Sequence, residues 1–226
     1  MSHLQQTVWL AGASGLVGRA LLQCLMQQPL KIQLLLRRPV EDLPAGHLVQ
    51  HRLVDFSRAD LGASDLARPH AVCICLGSTM AQAGSEAAFR AVDLDAVLNV
   101  ARAARQAGAT RCAVVSALGA DPTSRVFYNR VKGEMEQGLA ALQFERLVIA
   151  RPSLLSGERE TLGQAKRPAE QWALRLTRPL LPLIPARWRP IEAATVARAL
   201  CLALRQGGPA VQVFESQQLQ EMGFLQ

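Results

Sequence analysis

The chain has 226 residues, of which 50% are hydrophobic and 19% are charged, and its formal net charge is +7. This length fits one domain, and the apolar content excludes a disordered chain or a small disulfide-dependent domain. No apolar run approaches the roughly 20 residues of a membrane span, and residues 1–7 lack the pattern of a secretion signal. We therefore expect a cytoplasmic protein without integral membrane contact.

The basic residues are scattered along the chain and include only three lysines, Lys31, Lys132 and Lys166. With aromatic residues at 4%, this distribution does not suggest a nucleic-acid surface, and we expect no nucleic-acid partner. Abundant arginine, alanine and leucine with scarce lysine indicate GC-rich coding, which favours a bacterial source. The five cysteines form no C-x-x-C pair and the histidines offer no zinc-ligand spacing, so we predict reduced core thiols and no metal site.

Apolar runs alternate with amphipathic stretches, as expected for strands that are buried on both faces and separated by helices. The predicted strands are 7–11, 31–36, 51–54, 71–76, 111–116, 146–150 and 211–215, and the predicted helices are 15–27, 86–107, 124–142 and 192–205. A glycine at position 108 is expected to end the second helix. This order predicts an α/β fold with a doubly wound, Rossmann-like parallel sheet in a single domain, 1–226.

The segment after the sixth predicted strand interrupts this alternation, because residues 153–170 are polar and irregular and residues 171–190 are apolar and proline-rich. Residues 153–190 are expected to form a small lobe within the domain that caps a substrate pocket. A membrane-surface or partner-binding patch at 171–190 is the alternative interpretation.

A glycine-rich loop follows the first predicted strand, with Gly12, Gly15 and Gly18 in the spacing G-x-x-G-x-x-G. Glycines in a strand-to-helix turn let the backbone approach a pyrophosphate, and the helix that begins there offers free N–H groups. The loop therefore predicts a dinucleotide site, with Ser14 and Leu16 among its contacts.

Two arginines, Arg37 and Arg38, follow the second predicted strand, where an NAD site would carry an acidic residue for the ribose 2′-hydroxyl. A guanidinium suits a 2′-phosphate, because it can form paired charge-assisted hydrogen bonds with it. NADP (NADPH) is therefore the predicted cofactor in preference to NAD. The alternative is that both arginines are solvated loop residues.

Tyr128 and Lys132 stand four residues apart on a predicted helix and therefore share one face. Tyr128 is the only tyrosine of the chain, and we expect the Lys132 ammonium to lower its pKa toward working pH. Ser116 ends the fifth predicted strand, at the sheet edge where ligands bind in such folds. A surface tyrosine with an unrelated lysine is the structural alternative.

These motifs resemble those of the short-chain dehydrogenase/reductase superfamily, in its extended and atypical branches. The segments C-L-G-S-T at 75–79 and Y-N-R-V-K-G-E at 128–134 are similar to atypical members related to the human HIV-Tat-interacting-protein oxidoreductase and to bacterial NAD(P)H-binding relatives. The resemblance implies that Tyr128 is the general acid/base. It also implies that Lys132 holds the nicotinamide ribose and that Ser116 orients the substrate carbonyl.

The resemblance also implies further cofactor contacts. Asp55 would contact the adenine, and Leu76 and Gly77 would pass close to the cofactor. Pro152 belongs to a segment similar to the family's R-P-x-x-x-x-G pattern, which lines the nicotinamide side. Asn99 falls where some members carry a helix asparagine for proton relay, although a structural asparagine is the favoured interpretation.

The leading hypothesis is an NADP-dependent oxidoreductase that acts on a carbonyl or alcohol substrate, with the apolar lobe favouring an apolar one. A non-catalytic NADPH-binding regulator is the alternative, because the branch includes members with weak or unknown activity. A nucleotide-sugar epimerase or dehydratase with tightly held NAD is a minority hypothesis, which Arg37 and Arg38 oppose.

Overall fold

A computed structural model describes residues 6–62, 65–156 and 185–223 of the chain. Seven parallel strands form the main sheet, namely β1 (Thr7–Ala11), β2 (Lys31–Leu36), β3 (Val49–Leu53), β4 (Ala71–Ile74), β5 (Arg111–Val115), β6 (Arg146–Arg151) and β9 (Val211–Glu215). Their spatial order is β3-β2-β1-β4-β5-β6-β9. Two short strands, β7 (Leu155–Ser156) and β8 (Ile191–Glu192), pair separately.

The helices cover both faces of the sheet. They are α1 (Leu16–Met26), α2 (Met80–Ala83), α3 (Glu86–Arg90), a π-helical segment (Ala91–Ala96), α4 (Val97–Gln106), α5 (Phe127–Ala140), α6 (Ala193–Arg205) and α7 (Ser216–Gly223). The segments from Glu86 to Gln106 follow one another without a break, and Gly108 adopts a positive φ of 106° directly after them. No helix in the described part of the chain is long and apolar enough to cross a membrane.

Two hydrophobic cores lie on opposite faces of the sheet, and alternate residues of β1 point into each of them. Val8 and Leu10 pack with residues of α1 and α6. Trp9 and Ala11 pack with α5 and with the helical segments between Glu86 and Gln106. The central strands are therefore buried on both sides, which is why they read as continuous apolar runs.

The predicted doubly wound parallel sheet is confirmed. The fourth strand is shorter than expected and ends at Ile74, although the Cys75 N–H still donates to the Ala11 carbonyl. The third predicted helix begins at Phe127 rather than at residue 124, because Val126 is extended and its N–H donates to the Ser124 hydroxyl. Helices α2 and α7 and strands β7 and β8 were not expected from the sequence pattern. Most of the expected lobe, 157–184, lies outside the described residues.

Candidate dinucleotide and proton-transfer site

The glycine loop lies directly against the carboxyl end of β4. Gly12 has a φ of +86°, and a Cβ atom there would lie 2.5 Å from the carbonyl carbon and oxygen of Cys75. A Cβ atom at Gly18 would lie 2.0 Å from the Gly12 carbonyl oxygen. Side chains at either position would therefore force the loop off the sheet edge, and only glycine permits this close turn.

The N-terminus of α1 follows the glycine loop and lacks a side-chain cap. Gly15 is the N-cap residue and provides no side-chain cap, and the first turn contains no acidic residue. An uncapped helix N-terminus of this kind binds anions through its N–H groups and its dipole. The residues present therefore fit the pyrophosphate of a dinucleotide.

The loop also lies at the point where the strand order of the sheet reverses. Strand β1 pairs with β2 on one side and with β4 on the other. The segments that follow β1 and β4 therefore diverge, and in folds of this kind a ligand crevice lies between them. Ser14 is exposed and Leu16 is partly exposed on the loop side of this crevice. Leu76 and Gly77 follow β4 on its other side.

The residues expected near the adenosine half of the cofactor are accessible. Arg37 and Arg38 are exposed and follow β2 directly. Asp55 is exposed after β3, where its carboxylate accepts hydrogen bonds from the Ser57 N–H and hydroxyl, which lower its pKa. All three residues therefore follow neighbouring strands at the same edge of the sheet as the glycine loop.

A buried carboxylate holds the lysine of the Tyr-x-x-x-Lys motif. The Lys132 Nζ atom lies 2.7 Å from Oδ1 of Asp93, and the two side chains are 4% and 0% exposed. The other Asp93 oxygen accepts hydrogen bonds of 2.8 Å from both the N–H and the hydroxyl of Ser78. A Cβ atom at Gly77 would lie 3.3 Å from Asp93 Oδ1 and 3.8 Å from Lys132 Nζ, so the Gly77 backbone runs beside this pair.

The environment of Tyr128 contradicts one expectation from the sequence. Its half-buried ring packs on Phe89 at a centroid distance of 5.4 Å. Burial raises the pKa of Tyr128 above its ordinary value of 10.0, the Lys132 ammonium lowers it by a smaller amount, and the Asp93 carboxylate raises it. The predicted net lowering by Lys132 is therefore wrong, because burial and Asp93 together outweigh the ammonium.

Ser116 is buried after β5 and belongs to a second carboxylate network. Its hydroxyl donates to Oε1 of Glu136 at 2.5 Å, and Arg151 donates to both oxygens of the same carboxylate. Arg151 also donates to Glu215 at 3.0 Å. Because Glu136 stands one helical turn after Lys132 on α5, this bond brings Ser116 to the helix face that carries Tyr128 and Lys132.

Two further expected residues have structural contacts in the described part of the chain. The Asn99 amide donates to the Phe56 carbonyl at 3.1 Å and its oxygen accepts from Arg102, which accords with a structural asparagine. Pro152 is buried, and its carbonyl accepts from the Leu118 N–H, which ties the segment after β6 to the loop after β5. Gly157 lies outside the described residues.

Sequence reasoning missed Asp93 and Glu136 as site residues. Glu136 had a detectable signal, because it continues the four-residue spacing of Tyr128 and Lys132 along one helix face. No feature of the sequence distinguishes the buried Asp93 from Asp95, which stands two residues later and is exposed.

A crevice at the strand-order reversal, a glycine loop and an uncapped helix N-terminus define a nucleotide-binding protein of the Rossmann type. Residues 12–170 match a family model described as NAD(P)H-binding. The chain therefore belongs to the NAD(P)H-binding family.

Two relatives show how far this similarity extends. The chain is 36% identical over 166 residues to a protein of Coccidioides immitis named FMP52, mitochondrial, and the match covers 68% of each chain. It is 32% identical over 225 residues to protein HTATIP2 of Rattus norvegicus, which covers 96% of this chain and 89% of the rat protein. These matches confirm the resemblance seen in the sequence.

Solved structures with low sequence identity share the fold. The Bordetella bronchiseptica enzyme WbmG in complex with NAD has a TM-score of 0.69 at 18% identity, covering 95% of this chain and 74% of that one. A UDP-glucose 4-epimerase of Thermotoga maritima has a TM-score of 0.69 at 15% identity, covering 93% and 77%. At these identities the likeness establishes the Rossmann-like fold.

The comparisons confirm a nicotinamide cofactor in general terms and leave its finer identity as a prediction. They also leave the expected cytoplasmic compartment and bacterial source as predictions, since the named sequence relatives are from fungi and rat and the fungal ones are named mitochondrial.

Proposed function

We propose that the protein is an NADP-dependent oxidoreductase that reduces a carbonyl, or oxidises the corresponding alcohol, through Ser116, Tyr128 and Lys132. The observation that carries the proposal is the shared placement of these residues: Tyr128, Lys132 and the Ser116 partner Glu136 recur every four residues on α5. The Gly77 backbone links this face to the nucleotide crevice, because it runs beside the Lys132 ammonium.

Tyr128 is the proton donor of the proposed reaction. Its raised pKa keeps the phenol protonated at neutral pH, so that it can donate to a carbonyl oxygen. When bound, a nicotinamide cofactor supplies the hydride that the carbonyl carbon accepts. Lys132 and Asp93 then hold the helix face of Tyr128 against the loop at Gly77 and Ser78.

The proposed choice of NADPH rests on Arg37 and Arg38. Both are exposed directly after β2, at the position from which a side chain reaches the ribose 2′-substituent in this fold. Two guanidinium groups there favour a phosphate over a hydroxyl.

The proposed partner is a small carbonyl or alcohol compound, with an apolar one favoured by the composition of residues 171–190. Neither nucleic acid nor a membrane is proposed as a partner, because the basic residues are scattered along the sequence.

The decisive experiment is a panel of aldehydes and ketones, graded from polar to apolar, assayed by the loss of NADPH absorbance. We expect at least one carbonyl to be reduced, with Tyr128→Phe as the inactive reference. An unreactive panel with intact NADPH binding would overturn the enzymatic proposal.

A non-catalytic NADPH-binding regulator is the second candidate, and one observation favours it. Two members of the proposed catalytic group are already engaged by buried carboxylates, Lys132 by Asp93 and Ser116 by Glu136. A regulator needs these contacts only for structure, so NADPH binding without turnover is its expected result.

A further inference from the structure

Neither the glycine loop nor the Tyr-x-x-x-Lys motif accounts for Asp93. It projects from the π-helical segment Ala91–Ala96, and segments of this kind frequently mark functional sites. Its side chain is 0% exposed, although an isolated carboxylate is costly to bury. The neighbouring Asp95 is exposed, so the burial is specific to Asp93.

The two oxygens of the Asp93 carboxylate have different partners. Ser78 donates two hydrogen bonds of 2.8 Å to one oxygen, and the Lys132 ammonium lies 2.7 Å from the other. The second contact is an ion pair between groups of opposite charge. The buried ammonium and carboxylate therefore form a pair with no net charge.

This pairing changes what Lys132 does to its neighbour on the helix. An unpaired ammonium one turn from Tyr128 would favour the phenolate, whereas a paired one exerts a much weaker field. Among the described residues, Lys132 from α5 and Asp93 from the π segment are the charged groups that act on Tyr128. Phe89 from α3 packs on the Tyr128 ring and Phe127 packs on Phe89, and burial in these apolar surroundings is the largest cause of the raised pKa of Tyr128.

We propose that Asp93 is a positioning residue that fixes the Lys132 ammonium and offsets its charge, so that Tyr128 stays a neutral phenol and the site works as a carbonyl reductase. This inference rests on the proposed function and specifies its direction. In that direction the carbonyl carbon accepts a hydride, which NADPH would supply and thereby become NADP⁺. The phenol O–H bond breaks, its proton passes to the carbonyl oxygen, and the phenolate then takes a proton from solvent. Alcohol oxidation would need the phenolate first, and the Asp93–Lys132 pair disfavours it.

The chain offers a direct readout, because Tyr128 is its only tyrosine. The near-ultraviolet absorbance of tyrosinate in the cofactor-free protein therefore reports the ionisation of Tyr128 alone. We expect the native protein to hold its phenol protonated to a higher pH than free tyrosine does. A phenol that stays protonated until alkaline unfolding, followed by circular dichroism on the same sample, also supports the proposal.

The variant Asp93→Asn removes the carboxylate charge and keeps the size of the side chain. We expect it to raise the phenolate fraction at about pH 9 by roughly tenfold, because Lys132 then acts unopposed. Asp95→Asn is the matched control on the same helical segment and should titrate like the native protein. Native Tyr128 ionising more readily than free tyrosine would overturn the proposal even if Asp93→Asn does not fold. An unchanged titration in a folded Asp93→Asn variant would overturn it as well.

Kinetics test the direction separately. With any substrate found in the carbonyl panel, Asp93→Asn should shift the pH profile of alcohol oxidation to lower pH, and Asp95→Asn should not. If the titration behaves as expected but no carbonyl is reduced, the proposed function fails and the role of Asp93 stands. If turnover is found but the titration is unchanged, the role of Asp93 fails alone.

Discussion

The Ser116 hydroxyl donates its hydrogen bond to Glu136, with Oγ and Oε1 2.5 Å apart. A hydroxyl carries one proton, so while this bond holds, Ser116 offers only its lone pairs to any other group. The resemblance implies that Ser116 orients a substrate carbonyl, which would require the proton. In this arrangement only the lone pairs of the Ser116 oxygen remain to accept a further hydrogen bond.

Glu136→Gln should destabilise the protein, because the Glu136 carboxylate receives hydrogen bonds from both Ser116 and Arg151. We expect a loss of about 1–3 kcal/mol in the free energy of unfolding, measured by urea denaturation. Glu215→Gln is the matched control: Glu215 is the more exposed partner of Arg151, and its loss should cost less than about 1 kcal/mol. Equal losses in the two variants would contradict the central place of Glu136.

Tyr128→Phe should separate binding from chemistry. The ring keeps its packing on Phe89, so NADPH affinity should stay nearly unchanged. Turnover of a responsive carbonyl should fall by roughly 10²–10⁴, the usual range for a positioned acid/base group. Lys132→Ala should damage both properties, since it leaves the Asp93 carboxylate buried without its ion-pair partner. Unchanged turnover in Tyr128→Phe would remove the phenol from the mechanism.

Arg37 and Arg38 should govern the preference for one cofactor over the other. A ligand that binds only the native state raises the melting temperature by mass action, so NADPH should raise it more than NADH at equal concentration. In the double variant Arg37→Ala/Arg38→Ala, the increases in melting temperature with NADPH and with NADH should be more nearly equal. Arg125→Ala, which changes an exposed arginine in the loop before α5, serves as the control for a general charge effect. A larger shift with NADH in the native protein would refute the 2′-phosphate assignment.

Stability should fall in alkaline solution. Burial raises the pKa of Cys75 from its ordinary value of 9.0 to about 12, and it also raises the pKa values of Cys73 and Cys112. A thiol that holds its proton longer in the native state stabilises the fold fully below the unfolded-state pKa, and this stabilisation is lost as pH rises above it. Between about pH 8 and about pH 10 we expect the free energy of unfolding to fall by about 1 kcal/mol or more.

Urea denaturation at the two pH values measures this change. Cys75→Ala removes one titrating thiol, so its free energy of unfolding should fall less between the two pH values than that of the native protein. A native protein that is equally stable at both values would mean that the thiols titrate normally.

Much of the fold could be predicted because its signals are local. Strand β1, buried on both faces, and the glycines that follow it fix the first β-α unit, and both appear in the sequence as a continuous run and a spacing. The short helix α2 escaped prediction because four residues carry no hydrophobic period.

Site residues could be predicted only where they belong to a recognisable sequence motif. Tyr128 and Lys132 stand four apart, whereas Asp93 reaches Lys132 from a separate helix, 39 positions earlier in the chain. Sequence spacing contains no information on such a tertiary contact. The sign of the Tyr128 pKa shift therefore could not be predicted, because it depends on burial and on that distant carboxylate.

The family match ends at residue 170, but the main sheet does not. Strand β9 (Val211–Glu215) pairs with β6 from Leu147 to Arg151 at the edge of the sheet, and Glu215 at its end accepts a hydrogen bond from Arg151. A fragment cut at the family boundary would turn the apolar strand β6 into a bare sheet edge, which is a template for aggregation. Recombinant or genetic dissection of this protein should therefore keep the chain through α7, and a shortened product that precipitates would report a lost edge strand rather than a lost activity.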